Sequence, residues 1–104
     1  DQLLKRITLR RKGKATEIKR LMEYMPDRDF ILVGDSGEKY PKIYLKMCRL
    51  FGDRVKGVFI REIAERPLET DVFRKLQEST ASGYCKKFST AQELANLSSE
   101  IFAQ

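Results

Sequence analysis

Apolar residues along this chain follow two different periods, and the alternation between those periods predicts its helices and strands. An apolar stripe at helical spacing from Lys14 to Met25 predicts an amphipathic helix that ends at Pro26. Four consecutive large apolar residues at 30–33, Phe-Ile-Leu-Val, instead indicate a strand buried on both faces. Helical spacing returns between Pro41 and Gly52, which are favoured first and terminating positions of a helix.

The remainder of the chain continues this alternation of strands and helices. We predict further strands at Ile7–Leu9, Val55–Ile60 and Tyr84–Phe88, and a helix from Thr70 or Asp71 to Gln77. A last helix is predicted to begin with a capping box formed by Ser89 and Gln92. The apolar face of this helix consists of Leu94, Leu97, Ile101 and Phe102. The order predicts an α/β fold, a three-layer parallel sheet with flanking helices. The strand at 30–33 should be central, yet few strands remain to flank it on one side. We therefore expect the sheet to be incomplete in this chain.

Size and composition restrict the class of protein. The 104 residues suffice for one domain, and 41% hydrophobic with 35% charged residues is typical of a folded globular chain. No apolar run approaches the roughly 20 residues of a membrane helix, and no signal-peptide core is recognisable at the start. These features lead us to expect a cytoplasmic location.

Charge and residue types restrict the chemistry further. Histidine is absent, which excludes Ser-His and Cys-His catalysis and the common zinc sites. Cys48 and Cys85 stand in no metal-like spacing, so we expect buried free thiols. The net charge of +6, with much of the excess before residue 21, would attract phosphate-bearing partners such as an anionic membrane surface, although a merely solvated basic face fits equally well.

The most informative feature is the acidic, glycine-bearing loop after the strand at 30–33. Ligands of open α/β sheets bind just past the carboxyl ends of strands, where Asp35 is a candidate Mg²⁺ ligand. The alternative is a turn aspartate that binds its own backbone. Ser36, Glu38 and Arg61 are candidates to lie near a substrate, and Lys14 is a candidate cation for an anionic site. Nucleotide-binding glycine motifs are absent from the sequence.

Several of these segments together resemble a known family. They are similar to the carboxyl half of phosphatidate phosphatase catalytic domains of the fungal actin-patch-protein type, in the haloacid dehalogenase (HAD) superfamily. The segments that carry the resemblance are Lys14-x-x-x-Ile18, Met25-Pro26, the run Phe-Ile-Leu-Val-Gly-Asp-Ser-Gly-Glu-Lys at 30–39, Ile43-Tyr44, the run Val-Lys-Gly-Val-Phe-Ile-Arg at 55–61, Phe88 and the run Ala-Gln-Glu-Leu-Ala at 91–95.

The resemblance implies roles for individual residues. Superfamily members hydrolyse phosphate esters through an aspartyl-phosphate, with Mg²⁺ neutralising charge. Lys14 would match the lysine that contacts the nucleophile and the phosphate, and Asp35 would match the acidic metal ligand. The Asp-x-Asp-x-Thr/Val nucleophile motif is missing, since Asp27-Arg28-Asp29 precedes an apolar strand instead of following one. Tyr40 stands where members usually carry an acidic residue, and a phenol is a poor Mg²⁺ ligand.

We therefore expect residues 1–104 to be the carboxyl-terminal half of a HAD-like phosphatidate phosphatase domain. The intact family would hydrolyse phosphatidate, a phosphate-bearing lipid, to diacylglycerol with Mg²⁺, and this chain alone should be inactive. One alternative is an inactive phosphatase-like module that binds anionic lipid or a protein partner. A basic nucleic-acid-binding domain is a further alternative, which leaves the acidic loop unexplained.

Overall fold

The computed structural model describes residues 6–9, 15–37, 40–80 and 83–102. Its elements alternate along the chain as predicted, with bounds within a few residues of the expected ones. They are β1 (Arg6–Leu9), α1 (Ala15–Tyr24), β2 (Asp29–Asp35), α2 (Tyr40–Phe51), a 3-10 turn (Gly52–Arg54), β3 (Val55–Arg61), α3 (Thr70–Ser79), β4 (Cys85–Phe88) and α4 (Ala91–Phe102). Gly52 ends α2 with a φ of 51°, a conformation that glycine adopts without strain.

The four strands form one parallel sheet in the order β1-β2-β3-β4. Each strand therefore pairs with its neighbour in sequence, and a helix crosses over between each pair. The prediction that residues 30–33 lie inside the sheet is confirmed, because β2 is flanked by β1 on one side and by β3 on the other. The fold is an α/β, Rossmann-like arrangement.

Alternating residues of β2 face two separate apolar layers. Phe30 and Leu32 pack into the cluster that contains buried residues of α1, α2 and α3. Ile31 and Val33 pack into the cluster that contains Leu94 and Ile101 of α4 on the opposite face. This arrangement accounts for the unbroken apolar run in the sequence, since a strand with helices on both faces has no solvent-exposed side.

Gly57 permits α4 to approach the sheet closely. A Cβ atom built at this position would lie 2.6 Å from Ile101 Cδ1, so a larger residue in the middle of β3 would require the Ile101 side chain to shift. The missing side chain at Gly57 therefore leaves room for Ile101 in the contact between β3 and α4.

The two cysteines are buried and free, in agreement with the prediction. Burial raises the pKa of the Cys48 thiol, while a contact with the Thr80 hydroxyl at 3.9 Å acts in the opposite direction. Burial raises the pKa of the Cys85 thiol to about 12, and the neighbouring Cys48 adds to this shift. Both side chains therefore act as small protonated core residues.

Arg54 connects the end of α1 to the start of the sheet. Its guanidinium donates to the carbonyl oxygens of Met22 (2.7 Å) and Met25 (2.6 Å), and its Nε donates to Arg28 O (3.1 Å). The same group lies 5.3 Å from the ring centroid of Phe30. These contacts give a donor to Met22 O in the last turn of α1 and to two carbonyl groups of the segment that follows, and a cation there complements the helix dipole.

We predict that Arg54→Met lowers the free energy of unfolding by about 2 kcal/mol, because several carbonyl groups lose a charged hydrogen-bond donor. Urea denaturation followed by circular dichroism measures this change. Arg49→Met, at an exposed position in the last turn of α2, is the matched control and should change the value by less than about 0.5 kcal/mol. Equal effects of the two substitutions would contradict the role assigned to Arg54.

Candidate functional site

The carboxyl ends of β2, β3 and β4 meet at one edge of the sheet, where the structure forms a cleft. The register places Asp35 opposite Arg61 and Arg61 opposite Phe88, so these three residues occupy one row across the sheet. The cleft has a volume of about 480 Å³ and lies between the first turns of α2 and α4. It is lined by Val33, Gly34, Asp35, Tyr40, Tyr44, Arg61, Phe88, Ser89, Thr90, Ala91 and Leu94.

Asp35 is half-buried at the end of β2. Its contacts are compatible with both interpretations of the sequence, a turn aspartate and a candidate metal ligand. Its Oδ1 accepts a hydrogen bond from the Gly37 N–H at 2.9 Å, the geometry of a turn aspartate. Within the described part of the chain, Oδ2 accepts no hydrogen bond, and the residue lines the cleft. Oδ1 therefore shapes the loop, whereas Oδ2 is the candidate oxygen for a ligand.

Ser36 is buried and holds two loops together. Its hydroxyl donates to Arg66 O at 2.6 Å and accepts from the Ile63 N–H at 2.9 Å, while its own N–H donates to Arg61 O at 2.9 Å. The side chain does not line the cleft, and its hydroxyl is engaged by the loop that follows β3. This geometry makes Ser36 a positioning residue for the loops at the sheet edge. Contact between Ser36 and a substrate stays a prediction.

The other candidates from the sequence divide into two groups. Arg61 is exposed and lines the cleft beside Asp35, so the structure brings these two predicted residues together. Lys14 and Glu38 lie outside the described residues, and their roles stay predictions.

Tyr44 lines the cleft, a position that the sequence did not predict for it. Its hydroxyl donates to Val33 O at 3.0 Å, and the side chain is 1% exposed. Burial raises the pKa of the Tyr44 phenol well above its ordinary value, with Tyr40 and the Asp35 carboxylate adding smaller contributions. The phenol therefore stays protonated and continues to donate to the end of β2.

Gly34 provides the space that the Tyr44 hydroxyl occupies. A Cβ atom built at Gly34 would overlap that hydroxyl and lie 3.0 Å from two ring carbons of the tyrosine. The sequence signal was a glycine at the end of an apolar strand, which often marks a close approach by another group. The identity of that group depended on the packing of α2 against the sheet.

Tyr40 is the first residue of α2, and it also lines the cleft. Its ring centroid lies 6.3 Å from that of Tyr44, with an angle of 39° between the ring planes. The position at which the resemblance implies an acidic residue, occupied here by Tyr40, therefore lies at the cleft.

The cap of α4 differs from the predicted pair of Ser89 and Gln92. The Thr90 hydroxyl accepts from the Glu93 N–H at 3.1 Å, and the Glu93 carboxylate accepts from the Ser89 N–H at 3.2 Å. The prediction was wrong by one residue, because a glutamate three positions after Thr90 completes the capping box with a charged acceptor. As a result, a carboxylate already lies at the positive end of the helix dipole.

The described residues provide one carboxylate to the cleft and no preformed cluster of metal ligands. Within residues 15–37, 40–80 and 83–102, no three Asp, Glu, His or Cys side chains converge on a common point. Mg²⁺ is commonly held by one or two carboxylates, with water molecules and substrate phosphate completing its octahedron. Asp35 fits that pattern as a single protein ligand.

Comparison with known proteins identifies the family. The fold and the cleft at the carboxyl edge of the sheet place the chain in the class of Rossmann-like α/β domains. Residues 1–62 match the model of the phosphatidate phosphatase APP1 catalytic domain. The chain belongs to this family, in agreement with the resemblance noted in the sequence. The matched range runs from before β1 through β3 and includes Asp35 and Arg61.

One curated protein is similar to part of the chain. An uncharacterized protein of Schizosaccharomyces pombe, C29B5.04c, is 34% identical over 50 residues, which is 48% of this chain and 8% of that protein. The chain therefore spans only a small part of the length of that relative. No solved structure matches the chain. Within the described residues, every helix is too short or too polar to cross a bilayer.

We predict that Gly34→Ala lowers the free energy of unfolding by about 1–3 kcal/mol, because the added methyl group overlaps the Tyr44 side chain. Tyr44→Phe alone should cost about 1 kcal/mol through loss of its hydrogen bond to Val33 O. The double variant should be less destabilised than the sum of the single variants, since removal of the hydroxyl relieves the overlap. Urea denaturation of all four proteins measures the coupling, and strict additivity would contradict the proposed contact.

Proposed function

We propose that this chain contributes the metal-binding loop and a phosphate-binding edge to the Mg²⁺-dependent hydrolysis of phosphatidate to diacylglycerol in the cytoplasm. The observation that carries the proposal is the pairing of Asp35 with Arg61 in one row at the carboxyl edge of the sheet, inside a cleft of about 480 Å³. A carboxylate and a guanidinium that line the same cleft provide a metal ligand and a phosphate-binding group.

The donor chemistry at Asp35 supports Mg²⁺ as the metal. The carboxylate is a hard oxygen donor, and Oδ1 is held in place by the Gly37 N–H. When bound, Mg²⁺ neutralises negative charge on a phosphate as it is transferred. Glu38 is a candidate second ligand, proposed from the sequence alone.

Arg61 has the chemistry to bind the phosphate of the substrate directly. Its planar guanidinium donates two parallel hydrogen bonds to phosphate oxygens, a geometry that a lysine does not match. The carbonyl groups of Val33 in β2 and of Arg61, the last residue of β3, accept from the Tyr44 hydroxyl and the Ser36 N–H, so the backbone is held close to Asp35 and at Arg61. Lys14 is proposed as a second cation for the phosphate, on the resemblance to the family.

The covalent step requires an aspartate nucleophile that we do not find in this sequence. Asp27 lies just before β2 and Asp29 is the first residue of β2, so both lie at the amino edge of the sheet and away from the cleft. We therefore propose that the 104-residue chain binds Mg²⁺ and phosphate without turnover, as the carboxyl-terminal half of a HAD-like catalytic domain.

We predict that Mg²⁺ shifts the amide signals of residues 34–37 in ¹H–¹⁵N NMR spectra of the 104-residue chain. Asp35→Asn should abolish these shifts, because it replaces a charged ligand by a neutral amide. Asp53→Asn, at an exposed position at the opposite edge of the sheet, is the matched control and should leave the shifts intact.

The same preparations test the absence of turnover. Phosphate release from phosphatidate by the 104-residue chain should stay at the level of the buffer. Mg²⁺-dependent release that disappears in the Asp35→Asn variant would contradict the proposal that a nucleophile is lacking. Shifts that persist in Asp35→Asn would contradict the assignment of the metal ligand.

We predict that Tyr40→Asp tightens Mg²⁺ binding by about tenfold, because it places a second carboxylate in the cleft beside Asp35. Isothermal titration calorimetry of the 104-residue chain measures the affinity. Tyr24→Asp adds the same charge at a residue that is 81% exposed on α1, and it should leave the affinity within about twofold of the wild type. Equal affinities of the Tyr40 and Tyr24 variants would show that Tyr40 does not weaken the site.

A second candidate function is an inactive, phosphatase-like module that binds anionic lipid or a protein partner. Tyr40 at the cleft favours this alternative, because it replaces an expected acidic ligand by a phenol. Flotation with anionic liposomes in the absence of Mg²⁺ distinguishes the two functions. Binding that is unchanged in Asp35→Asn would support the inactive module.

A further inference from the structure

The cleft has two chemically different sides. Asp35 and Arg61 form its charged side, at the ends of β2 and β3. Phe88 and Leu94 form an apolar side, continued by the exposed Ala91 at the first turn of α4. A ligand that fills the whole cleft must therefore carry a charged group joined to an apolar one.

The apolar side comes from a part of the chain beyond the family match. The match ends at residue 62, whereas Phe88 ends β4 and Leu94 belongs to α4. Both side chains are held in the cluster that covers one face of the sheet, each being 7% exposed. Their position therefore depends on how β4 and α4 pack on the rest of the sheet.

Charge determines on which side of the cleft an anionic group binds. Arg61 is the basic residue among the described residues that line the cleft. The first turn of α4 is less suitable for an anion, since the Glu93 carboxylate already accepts the Ser89 N–H there. A phosphate group is thus favoured beside Arg61 and leaves the β4–α4 side to the rest of the ligand.

The volume of the cleft is sufficient for a ligand larger than phosphate. The cleft of about 480 Å³ falls within the range of small-molecule sites, roughly 300–1,000 Å³, and far exceeds the space that a phosphate group fills. The additional space adjoins Phe88, Leu94 and Ala91, where carbon atoms of a ligand would be removed from water.

We infer that Phe88, Ala91 and Leu94 form the specificity-determining wall of the site and contact the acylglycerol part of a phosphate monoester whose phosphate lies beside Asp35 and Arg61. This inference rests on the proposed function, because it places the phosphate at the proposed metal loop. The wall makes the site prefer lipid phosphates over small hydrophilic phosphate esters.

The test compares two ligands with the same head group. The 104-residue chain is titrated in Mg²⁺ with glycerol 3-phosphate and with dihexanoyl phosphatidate below its micelle-forming concentration, by calorimetry. Dihexanoyl phosphatidate should bind about tenfold tighter, the gain from burying about two methylene groups. Dihexanoyl phosphatidylcholine has the same acyl chains but no phosphate monoester, and it should bind far more weakly.

Two variants assign the preference to the wall. Leu94→Ala should reduce the tenfold preference to about threefold or less while leaving glycerol 3-phosphate binding unchanged. Leu97→Ala removes a similar side chain that packs against the same cluster without lining the cleft, so it is the matched control. Ala91→Asn changes an exposed, uncharged position of the wall and should reduce the preference in the same direction, even if circular dichroism shows that Leu94→Ala does not fold.

The possible results separate the two proposals. Equal affinities for phosphatidate and glycerol 3-phosphate would overturn the specificity wall and leave the proposed function standing. Absence of Mg²⁺-dependent binding for both ligands would overturn both proposals. Equal losses in Leu94→Ala and Leu97→Ala, or tight binding of phosphatidylcholine, would show that the preference arises from non-specific apolar contact.

Discussion

The parallel register between β2 and β3 is the constraint on which the site depends. It places Asp35 opposite Arg61 and, through β4, aligns both with Phe88. In a sheet, a shift of one residue moves each side chain to the opposite face. Such a shift would change the alignment of Asp35 with Arg61 and would move every side chain of the apolar run of β2 into the opposite layer.

Burial on both faces of β2 supports this register. Phe30 and Leu32 contact the layer of α1–α3, whereas Ile31 and Val33 contact the layer of α4. Each of these side chains is at most 6% exposed. A slip by one residue would force each of them into the packing of the other layer, which close-packed cores tolerate poorly. The stability of the core therefore determines the geometry of the charged edge.

Polar contacts at the strand ends hold the conformation of the loops at the carboxyl edge of the sheet. Tyr44 donates to Val33 O across the space that Gly34 leaves, and Ser36 joins the loop after β2 to the loop after β3. Both hydroxyl groups are buried, where a hydrogen bond that is lost leaves a carbonyl without a partner. Tyr44 and Ser36 thus shape the backbone around Asp35 and Arg61. In the proposed function, Asp35 and Arg61 contact the metal and the phosphate at this edge.

The order of the elements, the buried strand at 30–33 and the candidates Asp35 and Arg61 were predictable from the residues, because hydrophobic period, glycine and proline act locally. The role of Tyr44, the loop contacts of Ser36 and the apolar wall at Phe88 and Leu94 were not predictable. Each joins segments that are distant along the chain, and their meeting depends on how α2 and α4 pack on the sheet. The N-cap of α4 is Thr90 and not the predicted Ser89. Two overlapping capping patterns compete in the sequence, and the backbone geometry at the start of the helix selects between them. Local patterns define the elements, whereas packing decides which side chains share a cleft.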